Sequence, residues 1–148
     1  MTAGPYTPRQ MDSRHKIREL SLQVLFTFDA QNRADAELAN EVTLDVAGDA
    51  DTIREVTKMA TAAWDARKTA DAWSTRLAPQ WPTHRQPQVD RALLRLAIWE
   101  LTNTDTPPKV VIDEAIELAK TFSTANSPAF INGVLDAVMK EVSALKQA

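Results

Sequence analysis

QVDRALLRLAIWEL, residues 88–101, is the stretch that decides the fold. Set on a helix at about 100° per residue, its apolar side chains run nearly all the way round, and only Arg91 and Arg95 make a clear polar stripe. A helix apolar on most sides is covered on most sides. The segment is therefore expected to be the central element of an all-helical fold. Glu100 falls inside the apolar arc. A buried carboxylate needs a partner, so an internal ion pair is expected there rather than catalysis.

Outward from this segment the chain continues in helical periods. TPPKVVIDEAIELAKTF (106–122) carries a stripe of Val111, Ala115, Leu118 and Phe122, with Thr106 as a cap and prolines suited to a first turn. STANS (123–127) reads as a loop, and Ser127-Pro128 opens a last helix. There Asn132-Gly133, a strong turn dipeptide, lies within the helical spacing of Ile131, Val134, Leu135 and Val138. The flanking periodicity favours helix over turn. Upstream, PQWPTHRQP (79–87) holds three prolines and reads as a loop. Residues 51–78 have no glycine or proline and form one long helix, or two with a break near Lys68. Residues 36–47 read as a shorter helix with Gly48 as its stop.

The first helix is expected over 13–30, with Ser13 as N-cap and a stripe of Ile17, Leu20, Val24 and Phe28. Leu22 and Phe26 make a second, smaller apolar strip beside His15 and Arg18. Residues 1–12, with Gly4, Pro5 and Pro8, read as a flexible arm. The sum is six or seven helices and no convincing strand. They form one domain over 13–148, with an N-terminal sub-bundle at about 13–80 and a C-terminal one at about 86–145, around residues 88–101.

With 148 residues, 44% of them hydrophobic, the chain is long enough for one real core. No apolar run is long enough to span a membrane, and residues 1–16 lack the apolar centre of a secretory signal. The absence of cysteine excludes disulfides and thiolate metal sites and fits a reducing cytoplasm. Three glycines, at 4, 48 and 133, exclude a glycine-rich phosphate loop. Asp113, Glu114 and Glu117 cluster on one helix, but the Glu-x-x-His of a di-metal helix is missing. No nucleophilic triad can be assembled. No metal, cofactor or enzymatic activity is therefore expected. A net charge of −3 argues against whole-surface binding of nucleic acid and leaves room for a local basic patch.

Such a patch lies at the start of the first helix, in Arg14, His15, Lys16 and Arg18. Arg14, Arg18, Leu22 and Phe26 follow i, i+4 steps and make a column in which cations could hold phosphates and a ring could stack on a base. Exposed cations at a helix N-terminus are disfavoured by roughly 0.3–1 kcal/mol, which hints at another use. The plainer reading is a solvated basic helix end, with Phe26 buried between the lobes.

RHKIRELSLQVLF, VDRALLRLAIWEL and PPKVVIDEAIELAKTFSTANSPAFINGVLDAV occur in an order that resembles the NusB family of transcription antitermination factors. The resemblance is strong over residues 14–28 and 88–140, and over 30–87 extends to helical character only. It implies an all-helical fold of two small bundles set across each other and a non-catalytic role in RNA binding. It also implies a protein partner, the ribosomal protein NusE, with which the protein binds boxA RNA. The pair then supports processive transcription of ribosomal RNA genes by RNA polymerase.

The family's arginine-rich RNA-binding stretch falls on Arg14, His15, Lys16 and Arg18. Its RNA-facing loop falls on 123–130, where Asn126 replaces a usually acidic residue and Phe130 is either an RNA contact or core. Asp90 falls on an acidic contact to NusE, and His84 lies at the edge of that contact. Gly133 is implied to admit a neighbouring helix at close range. Some family members self-associate through the NusE surface, so a homodimer is a further implied state. Two other readings share the fold: an RNA-positioning module of the kind attached to ribosomal RNA cytosine methyltransferases, and a helical adaptor that binds protein alone.

Overall fold

A computed structural model describes residues 8–147, with side chains from residue 13 onward. Among the described residues the chain is helical, without a strand. Seven α-helices follow in order: α1 (Pro8–Gln31), α2 (Ala36–Thr43), α3 (Ala50–Asp65), α4 (Arg67–Leu77), α5 (Gln88–Asn103), α6 (Pro108–Phe122) and α7 (Ser127–Gln147). A single 3-10 turn at Thr83–Arg85 precedes α5.

Several boundaries differ from expectation. α1 starts at Pro8, a residue at home in a first turn, so Ser13 is inside the helix rather than its cap. Of the expected flexible arm, residues 8–12 are helical here and residues 1–7 lie outside the described residues. α2 ends at Thr43, and Gly48, with φ +87°, closes the turn that follows. Of the two alternatives for residues 51–78, the structure has the pair of helices, with the break at Ala66 rather than near Lys68. Arg67 holds this junction: its Nη1 donates to the Trp64 carbonyl at 2.9 Å, and its guanidinium lies 4.0 Å over the Trp64 ring. Asp35 and Asp49 cap α2 and α3, accepting from Leu38 N at 2.8 Å and Thr52 N at 2.7 Å.

α5 is the centre. It packs against α1, α3, α4, α6 and α7, and every residue from Ala92 to Ile98 is buried. Its polar stripe faces charge rather than solvent. Arg91 pairs with Asp29 of α1, and Arg95 pairs with Asp71 of α4 at 2.8 Å and with Asp29 at 3.4 Å. α1, α2 and α3 pack on one another, while α6 and α7 pack together on α5. α4 packs on α5 and α7 and is tied to α7 by Arg76–Glu141. α4 follows α3 across the junction at Ala66 and leans on the second group. Both groups share one core, to which α1 gives Val24, Leu25 and Phe28 and α5 gives Leu93, Leu96 and Ile98.

Gly133 is helical, as the flanking periodicity requires, but no helix approaches it. It is exposed, and a Cβ placed there would meet nothing within 4 Å. The expected close packing is absent.

Candidate nucleic-acid interface

α1 carries two buried faces, because it lies between α3 on one side and α5 on the other. This splits the basic cluster. Lys16 is exposed and Arg14 half-buried, with Glu55 of α3 at 3.8 Å. Lys16 faces the start of α3. The Asp49 carboxyl there is held below its ordinary value chiefly by the Thr52 N–H, then by the Thr52 hydroxyl, with Lys16 adding a weaker pull. His15 turns to α6 and pairs through Nδ1 with Glu114. Arg14 also borders a groove of about 210 Å³ with Lys58 and Trp99, which widens the cationic surface beyond α1.

Arg18 does not belong to this surface. It is 4% exposed and forms a two-pronged pair with Glu100, Nε to Oε1 at 3.0 Å and Nη2 to Oε2 at 2.6 Å. Where a contact to RNA was expected of Arg18, its guanidinium answers the buried carboxylate of α5. The column Arg14–Arg18–Leu22–Phe26 is interrupted at its two central members, because Leu22 is buried as well.

Phe26 lies at the other end of that column, 37% exposed. It borders an apolar groove of about 360 Å³ with Leu22, Val42, Val89 and Phe122. Neither cations nor acids line this groove, so it suits apolar side chains better than phosphates.

Asp90 is 3% exposed. Its two oxygens accept from the Ser123 hydroxyl at 2.5 Å and the Ser127 hydroxyl at 2.9 Å. Where a contact to a protein partner was expected of Asp90, its carboxylate is engaged inside the fold. It pins the loop between α6 and α7 to the first turn of α5, where a negative charge also suits the helix dipole. The loop so held presents Asn126 to solvent and leads to Phe130, which is half-buried. His84 is exposed on the 3-10 turn.

Asn126 and Phe130 face a cleft of about 290 Å³ whose opposite wall is Trp81 and Arg85. Trp81 and Arg85 were not anticipated. In the sequence they lie in a proline-rich loop, and nothing in one dimension sets them opposite residues 126–130. Lys58 and Phe122 are likewise visible as surface residues only once the helices are packed.

Among the described residues, seven helices with a cationic flank on α1, an apolar groove and a loop buttressed by a buried acid define an all-helical class of protein whose surfaces are suited to binding. The NusB family pattern matches residues 15–140, and the chain belongs to that family. It is 35% identical to the transcription antitermination protein NusB of Chloroflexus aggregans, over 95% of each chain. Among solved structures, T. maritima NusB is 33% identical, with a TM-score of 0.78, covering 86% of this chain and 91% of that one. A chain from a structure of antitermination factors NusB and NusE in complex with dsRNA is 25% identical, with a TM-score of 0.77, covering 88% of this chain and 98% of that one.

Proposed function

We propose that this protein acts in the cytoplasm as a transcription antitermination factor that, with NusE, binds boxA-type RNA and, as part of the antitermination complex with RNA polymerase, supports processive transcription of ribosomal RNA genes. The observation that carries the reading is the similarity, over nearly the whole chain, to a NusB solved with NusE and dsRNA. The surface chemistry agrees with it. Arg14 and Lys16 supply phosphate-binding charge on α1, and Asn126 and Phe130 supply an amide and a ring on a loop fixed by Asp90. Phosphate contacts position RNA, and rings and polar edges read unpaired bases. The partner face is assigned to the groove of Phe26 and Phe122, because Asp90 is internal and this groove is the exposed apolar surface beside it.

The test is fluorescence anisotropy of labelled boxA RNA with the protein, with NusE and with both, against a scrambled RNA. The pair is expected to prefer boxA and to bind more tightly than either protein alone. Equal binding of boxA and scrambled RNA by the pair overturns the reading.

A further inference from the structure

The cleft between the α4–α5 connection and the start of α7 brings two rings, two amides and a guanidinium to one place, with the Asp90 carboxylate at its base. Trp81 is 52% exposed, although a large ring is ordinarily covered. It is held in place by a stiff frame. Pro79 and Pro82 flank it in sequence, its backbone N–H donates to the Ala78 carbonyl at 3.0 Å, and its backbone carbonyl accepts from Gln86 Nε2 at 3.1 Å. Phe130 faces the same cleft from α7, and Asn126 and Thr124 supply amide and hydroxyl groups at its edge. Gln86 lines it too, is 5% exposed, and its Oε1 accepts no hydrogen bond among the described residues. Arg85 stands at the rim, exposed and without an ion pair among the described residues. The carboxylate that could neutralise it, Asp90, is engaged with Ser123 and Ser127.

Resting on the function proposed above, we propose that this cleft takes one unpaired base of the bound RNA, with Trp81 stacking on the base and Arg85 holding the adjoining phosphate. Rings for the face, amides for the edge and a guanidinium for the phosphate are what single-stranded RNA requires. A volume of about 290 Å³ suits one nucleotide-sized group rather than a helix of a protein partner. The neighbouring Phe26–Phe122 groove makes the contrast. It begins one residue away, at Val89 beside Asp90 and at Phe122 beside Ser123, yet its walls are mainly apolar, with Gln23 and Thr27 at its edge, and carry no charge. The two surfaces thus adjoin across the first turn of α5, so RNA in the cleft and a protein in the groove would touch. The framed backbone at Trp81 also needs little reordering on binding, which lowers the entropic cost of capture.

The test uses the full chain with NusE and labelled boxA RNA. Trp81→Ala is expected to weaken RNA binding about tenfold, while Trp81→Phe, which keeps a stacking face, stays within about twofold of the parent. NusE affinity by calorimetry is expected to be unchanged in both. Arg85→Ala is expected to make the salt dependence shallower by about 0.7 in log–log slope, one phosphate contact for a single strand. Photocrosslinking of boxA RNA carrying 5-iodouridine to the unaltered protein is expected to label the tryptic peptide 77–85, a readout that stands if Trp81→Ala fails to fold. A folded Trp81→Ala variant that binds boxA as the parent does overturns the cleft while leaving the RNA-binding function intact. Loss of NusE binding rather than RNA binding in that variant also overturns it, assigning the cleft to protein. Failure of the parent pair to prefer boxA over scrambled RNA overturns both.

Discussion

Arg18 and Glu100 show how far a residue's role depends on what covers it. Glu100 was legible, because a carboxylate within the apolar arc of α5 must find a partner. Its partner was not. Arg18 sits among basic neighbours, and nothing in the local sequence separates it from Arg14 and Lys16. The separation arises only when α5 closes over the Arg18–Leu22 strip of α1, and Leu22, apolar on that strip, was the one trace of this in the sequence. The pair is buried and bidentate, so removing either side chain takes a two-pronged, charge-assisted bond out of the core. Glu100→Ala or Arg18→Ala is expected to lose about 3–5 kcal/mol of stability, whereas the double change Arg18→Met with Glu100→Leu is expected to be near neutral. Urea denaturation of the three variants checks this. A double variant as unstable as the singles would show that the pair gives more than mutual neutralisation. Asp90 teaches the same lesson: its place in a first turn was plain, but its hydrogen bonds lie with hydroxyls more than thirty residues away.

Elements were easier to read than their junctions. Stripes of buried residues appear where periodicity put them: Val111, Ala115 and Leu118 on α6, and Ile131, Val134, Leu135 and Val138 on α7. The break at Ala66 was less legible, since neither glycine nor proline marks it and Arg67 fixes it through a ring and a carbonyl of the preceding helix. On α7 the helix was readable straight through Asn132-Gly133, but the reason for the glycine was not. Gly133 keeps the backbone entropy cost of a helical glycine and shields no close contact. Gly133→Ala is therefore expected to stabilise the protein by about 0.5–1 kcal/mol, raising Tm by a few degrees, about 2–4 °C per kcal/mol at this size. Gly133→Leu is expected to escape the overpacking penalty of a core site. Calorimetric melting of both decides it; a marked drop for Gly133→Leu with no gain for Gly133→Ala would mean that another helix closes on this face after all.

Across the whole molecule the two faces of the protein are separable by chemistry. The cations of α1 that reach solvent, Arg14 and Lys16, lie near the start of α3, while the Phe26–Phe122 groove lies toward the end of α1 and the start of α5. Eleven residues part His15 from Phe26, about 16 Å of helix. Arg14→Glu with Lys16→Glu changes exposed or half-exposed side chains and breaks only a surface pair of small worth. The pair of reversals is expected to weaken boxA binding and to flatten its salt dependence by about 0.7 per phosphate lost, while calorimetric NusE affinity is retained. Phe26→Ser with Phe122→Ser removes the ring pair of the groove and is expected to weaken NusE binding by on the order of tenfold or more, as loss of a central aromatic anchor does. RNA binding by the protein alone should survive that change, and only the gain contributed by NusE should disappear. Arg18 is left out of the reversal because its loss would strike the core and mimic a binding defect. If the charge reversals reduce NusE and RNA binding alike in folded protein, the two faces are one; if the serine variant keeps full NusE affinity, the partner docks elsewhere, and the exposed 3-10 turn bearing His84 becomes the next surface to alter.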